Sequence, residues 1–222
     1  MPVIVLASPK GGVGKSTCSI VLASEFAHAG LPVTLIDCDS NRSAARWAAA
    51  GRPKNVTLLE GITKSEIVPL LRKEDADGKI IIVDLEGIAS QLMSRAISQA
   101  DLVLIPMQPA ALDSSIGAEA IALVREEEET LGRAIKHAVV LTRTNAAMKT
   151  RVQKEIEAQL ANANIDLIQP PLVQRAAYAE LFAFGYGLRE LRDNREVQTA
   201  GNIDAAIENA RQFMEAVYER LQ

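Results

Sequence analysis

No apolar run in this chain approaches the ~18 residues that a membrane-spanning helix requires. The amino terminus also lacks the basic stretch and apolar segment of a secretory signal. Cysteine is scarce: Cys18 and Cys38 are the only two, and they have neither the paired CxxC spacing of a redox centre nor that of a zinc site. Histidine is as rare, and His28 and His137 lack a companion at metal-ligand spacing. Nor is there an excess of positive charge. At a net −4 the chain as a whole has no pull toward nucleic acid, so any such contact must come from a local patch. Internal repeats, low-complexity stretches and linkers are absent as well. What remains is the expectation of a cytoplasmic protein with reduced thiols.

The composition is that of an ordinary globular protein: 222 residues, 48% hydrophobic and 23% charged. That length suits one domain spanning 1–222 and is too short for two comfortable ones. Apolar runs alternate with longer helical patterns, which predicts an α/β fold: a mostly parallel twisted sheet with helices on both faces. The strands are expected at 3–7, 32–37, 56–60, 79–84, 101–106, 137–142 and 165–169. Several are wholly apolar, as strands covered on both faces should be. Helices are expected at 16–29, 41–50, 64–74, 89–99, 114–131 and 149–161. A last one at 203–221 has Ile203, Ile207, Ala210, Met214, Val217 and Leu221 at helical spacing.

Directly after the first apolar run stands Ser8-Pro9-Lys10-Gly11-Gly12-Val13-Gly14-Lys15-Ser16-Thr17. The ordinary phosphate-binding loop, G-x-x-x-x-G-K-[ST], lies between a strand and a helix. Here Pro9 holds the place of its first glycine, so the strict pattern fails, while a narrower one, K-G-G-x-G-K-[ST], is met in full. Glycines let the backbone close around phosphate oxygens, and the free N–H groups of the following helix face the same anion. Lys15 is expected on the β- and γ-phosphates and the Ser16 hydroxyl on magnesium. This is the signature of a phosphate-loop nucleotide hydrolase.

Three acids lie at expected strand ends, where open α/β sheets bind ligands. Asp39 could orient an attacking water, Asp37 could support the loop or the metal, and Asp84 could hold a metal-bound water.

With Lys10, Asp37-Cys38-Asp39 and Asp84 in place, the chain resembles the ParA/MinD family of deviant phosphate-loop ATPases. The likeness extends to Ile105-Pro106 with Asp113 beyond, and to Ala179-Glu180 with Phe184-Gly185. The segment Asp39-Ser40-Asn41-Arg42-Ser43 with Trp47 one turn on, Pro106-Met107-Gln108-Pro109, and the lack of an N-terminal helix-turn-helix domain resemble the small, ParF-like proteins of plasmid partition. The resemblance implies ATP and magnesium (Mg2+) as cofactors, with nucleotide contacts from Lys10 through Thr17. It also implies an ATP-dependent homodimer in which Lys10 reaches the partner's phosphates, and Asp39 as the water-positioning residue. The base is expected near Arg143 and Val173-Gln174-Arg175. The implied partners are non-specific DNA and a centromere-binding, ParB-like adaptor that stimulates slow hydrolysis; the implied location is the nucleoid.

Two positions depart from that pattern. Asn41 stands where relatives often have glutamine, shortening its reach toward phosphate. Glu86 follows Asp84-Leu85, where relatives carry small residues; it is expected to point outward, because a carboxylate turned inward would repel the γ-phosphate.

Arg189, Arg192 and Arg195, spaced by three, read as a phosphate-contacting stripe for DNA with Arg175 as a fourth candidate, or as a solvated surface paired with Glu190, Asp193 and Glu196. Trp47 is expected to pack the helix after the first acidic loop. The last helix has four acids (Asp204, Glu208, Glu215, Glu219) against Arg211 and Arg220, the wrong sign for an anionic membrane, so packing on the sheet is expected. Rival readings keep the scaffold: an ATPase that positions another cargo, such as a conjugation, secretion, cellulose or microcompartment assembly; a biosynthetic ATP-dependent ligase; or a filament former with Pro106–Pro109 at its contacts.

Overall fold

Val3–Leu6 forms the central strand, β1, each of its four residues buried. A run of β-branched and aliphatic residues with no polar alternation suits only a strand packed on both sides. In the computed structural model, residues 2–75, 79–87, 90–194 and 201–222 are described, with the side chains of 75 and 111–117 outside that description. The chain continues through α1 (Lys15–His28), β2 (Val33–Cys38), α2 (Ser43–Ala50), β3 (Val56–Glu60), α3 (Ile67–Asp75), β4 (Ile80–Leu85) and α4 (Gln91–Ile97). After these come β5 (Leu102–Met107), α5 (Ala111–Leu131), β6 (His137–Thr144), α6 (Arg151–Asn162), β7 (Asp166–Leu167), β8 (Leu172–Val173), α7 (Ala176–Phe184), α8 (Leu188–Asp193) and α9 (Ile203–Glu219).

The strands pair in the order β3-β2-β4-β1-β5-β6-β7, with β8 on β6, and all of these pairings are parallel. Between β1 and its neighbours the winding reverses direction, since β1 lies between β4 and β5. Crevices at such switch points, outside the carboxyl ends of the strands, are where open sheets bind ligands. Register aligns the chemistry there: Leu6 pairs with Asp84, and Asp37 also pairs with Asp84.

Side chains alternate between two cores, as the pleat requires. On one face Ile4, Leu6, Leu35, Ile82 and Leu104 pack with Phe26 of α1, Trp47 of α2 and Phe213 of α9. On the other Val3, Val5, Ile81, Val83 and Ile105 pack against α3, α4, α5 and α6. The expected α/β architecture is the observed one. The last helix does lie on the body of the protein: Ile203, Ala206, Ala210, Phe213 and Val217 are buried, and Ile207, Met214 and Leu221 pack partly against the same core.

The helix expected at 149–161 is α6, but the region between α6 and α9 differs from expectation. The strand foreseen at 165–169 is two residues, β7, and β8, α7 and α8 follow where no elements were assigned. Among the described residues no helix is long and apolar enough to cross a membrane.

Candidate functional site

The phosphate loop connects β1 to α1, and its backbone is held from behind. The Thr142 hydroxyl donates to the Val13 carbonyl at 2.7 Å, and Gln108 Nε2 donates to the Gly12 carbonyl at 3.0 Å. With those carbonyls engaged, the loop is braced by the ends of β5 and β6. Gly14 precedes α1 at φ 100°, a conformation that side chains rarely adopt, and an added Cβ would stand 3.2 Å from Thr142. Lys15 folds back over the loop, its Nζ donating to the Lys10 carbonyl at 2.9 Å. Burial lowers the Lys15 pKa, while Asp84, Asp39 and Glu86 act in the opposite direction.

Around the loop lies a cleft of about 510 Å³, lined on one wall by Gly11, Gly12, Gly14, Lys15, Ser16 and Thr17. Asp39, Asn41, Ser43 and Arg46 form a second wall, and Glu86 and Gly87 a third. Gly87 approaches the loop so closely that a Cβ there would stand 2.4 Å from the Gly11 nitrogen. Arg143, φ 52°, and Phe182 border both this cleft and an adjoining cavity of about 320 Å³. That cavity contains Leu172, Val173, Gln174, Arg175, Tyr178 and Ala179, so the segments expected near a base do lie beside the phosphate loop.

The three acids separate in role. Asp37 is buried, and its two oxygens accept the backbone N–H groups of Asp39, at 3.0 Å, and Ala45, at 2.8 Å. Both oxygens thus support the loop, one of the two parts expected of this residue. Asp39 accepts the backbone and side-chain amides of Asn41 at 2.8 and 3.0 Å, so Asn41 turns back onto the aspartate. Asp84 is fully buried, and both its oxygens lack a partner of good hydrogen-bond geometry among the described residues. Burial pushes its pKa up to about 7, opposed by the Ser16 hydroxyl and reinforced by Asp37. Among the described residues no three His, Cys, Asp or Glu side chains converge as a metal cage.

Glu86 does not point away. It lines the cleft, and its Oε1 accepts the Ser40 hydroxyl at 2.6 Å, bridging the loops after β2 and β4. Arg189 and Arg192 do not form an open basic stripe. Arg189 makes an ion pair at 2.5 Å with Glu25 of α1, whose carboxylate is 3% exposed. Arg192 pairs with Asp193 at 2.9 Å and Asp204 at 3.5 Å. Arg175 lines the apolar cavity, its Nε buried without a hydrogen-bond partner among the described residues. Arg195 lies outside the described residues, as does the Asp113 side chain.

Sequence reading missed Arg46, Tyr178, Phe182 and Thr142. The last three come from β6 and α7, which carry no motif; Arg46 adjoins the expected Trp47 and was legible only by helical spacing from Ser43.

The family model described as VirC1 protein matches residues 1–222. The chain belongs to the VirC1 protein family. It is 50% identical over 222 residues to Protein ParA of Rhizobium radiobacter, covering 100% of this chain and 98% of that one. By fold, this VirC1-family chain is similar to a Cyanothece McdA variant in complex with ATP: TM-score 0.73, 17% identity, 98% and 96% of the two chains covered. It is also similar to cobyrinic acid a,c-diamide synthase of Mycobacterium smegmatis with a bound ATP analog and magnesium: TM-score 0.71, 16% identity, 99% and 94% covered. At such identities the likeness establishes the fold only; a scaffold shared with a synthase does not choose the chemistry.

Proposed function

We propose that this VirC1-family chain is a ParA-type ATPase of DNA partition, whose output is assembly on DNA rather than a chemical product. The observation that carries the reading is the cleft in which the K-G-G-x-G-K-[ST] loop meets the loops after β2 and β4, in a chain half identical to a protein named ParA. The residues suit a magnesium nucleotide. Asp84, buried with unpartnered oxygens, and the Ser16 hydroxyl are hard oxygen donors, and magnesium is commonly held by few protein groups plus phosphate. When bound, the ion would supply charge neutralisation to the phosphates.

The chain's own groups then divide the work. Gly11 to Thr17 cradle the phosphates, Lys15 neutralises them, and Asp37 holds the first acidic loop in shape so that Asp39 can orient a water. The adjoining cavity receives the base between Arg143 and Val173. Lys10 reaches the phosphates of a partner subunit, so that two nucleotides are enclosed by a homodimer. That dimer binds DNA without sequence preference, and a ParB-like adaptor stimulates hydrolysis.

A DNA-shift assay on unrelated duplexes with ATP, ADP or no nucleotide tests this. Sequence-blind retention only with ATP is expected. No retention in any state, with turnover dependent on a small carboxylate, would move the protein to the ligases.

A further inference from the structure

Arg46 lines the phosphate cleft, next to Asn41 and Ser43, from the second turn of α2. Ser43 and Arg46 are three residues apart and so share a helix face. Apart from Trp47, the rest of that helix is alanine. Trp47 anchors it: the indole is fully buried, and its N–H donates to the Tyr186 carbonyl at 2.8 Å. The backbone that carries Arg46 is therefore fixed, and its long side chain is the reach of α2 toward the cleft.

The electrostatics of the cleft call for such a cation. Asp39 and Glu86 both line it, and a polyphosphate entering there meets two carboxylates. Glu86 is taken by Ser40 and Asp39 by Asn41. One turn earlier the Arg42 guanidinium is consumed by Glu60, at 2.5 Å. Arg46 forms no such pair among the described residues.

We propose that Arg46 is a polyphosphate-binding residue, its guanidinium donating to phosphate oxygens of the bound nucleotide and so tying α2 to the occupant of the cleft. This rests on the nucleotide-binding reading above. The ligand class is a nucleoside di- or triphosphate. A planar fork of donors matches phosphate in a way that an ammonium group does not, so lysine is an incomplete substitute.

Calorimetric titration of the full chain with magnesium ATP and magnesium ADP, at low and high salt, tests the assignment. Arg46→Ala should lose about tenfold to a hundredfold in affinity for both nucleotides, the range of a charge-assisted hydrogen bond. The loss should shrink at high salt, Arg46→Lys should recover part of it, and Arg42→Ala should bind as the unmutated chain does. Because Arg46 is exposed, the thermal midpoint should stay unchanged. Unaltered affinity in Arg46→Ala overturns the assignment. So does a loss that is insensitive to salt and shared by Arg42→Ala, which would mean a packing effect of α2. If the unmutated chain binds neither nucleotide, the ATPase reading itself falls, an outcome distinct from both.

Discussion

Lys15 and Lys10 sit five residues apart on one loop, yet different experiments separate them. Lys15 is buried and already bonded across the loop, so Lys15→Ala should abolish nucleotide binding. Lys10→Ala should retain binding and lose the ATP-dependent dimer on size-exclusion chromatography; a normal dimer would sink the shared-nucleotide arrangement. Gly87 offers a steric test. A methyl group there would meet backbone atoms of Lys10 and Gly11 at 2.4–2.8 Å, so the loop must move. Gly87→Ala should cost about 1–3 kcal/mol in denaturant unfolding, the usual range for overpacking. Glu25 sets a pH dependence. Burial raises its pKa above the ordinary 4.5, with Arg189 opposing, so between 4.5 and the raised value the folded state binds the extra proton. That contribution to stability is complete below 4.5 and is lost as pH rises through the folded value. The melting temperature of Glu25→Gln minus that of the unmutated chain should therefore grow with pH across that window. A flat difference would refute it.

At the scale of elements, α2 depends on one side chain. Trp47 fills the space between α2 and the turn from α7 to α8, where Gly51 and Gly185 bring two backbones together. Trp47→Ala should cost about 3–5 kcal/mol in urea unfolding, as expected for emptying a buried aromatic site. Trp47→Phe should cost less, since it removes the bond to the Tyr186 carbonyl and only part of the buried ring. The parallel strands and flanking helices up to β6 were legible because Ile80 to Val83 or Leu102 to Ile105 admit only a strand buried on both sides. The phosphate loop was legible because glycine spacing there is dictated by contact with the backbone. Between α6 and α9 the signal fails. Two-residue strands have no period, and α7, Ala176–Phe184, is so apolar overall that no stripe marks its face. The turning of Glu86 toward Ser40 was not foreseeable either, since two loops far apart in sequence meet only through the register of β2 with β4. The ion pair of Arg189 was not legible because Glu25, its partner, lies 164 residues away.

At the scale of the whole molecule, the proposal is one of association. Light scattering with ATP should rise only to the level of a dimer if Lys10 closes it; continued growth would favour filaments with Pro106–Pro109 at the contact. DNA retention should weaken steeply with salt, as phosphate contacts do. A practical property follows from the placement of Trp47. It is the chain's only tryptophan, and it is sealed on the helix that carries Arg46, against a carbonyl from the neighbouring α7–α8 turn. The protein thus contains its own optical gauge: emission from a single indole reports the seating of α2, with no label attached. Stopped-flow mixing with ATP can read from that one signal how quickly the fold registers its nucleotide.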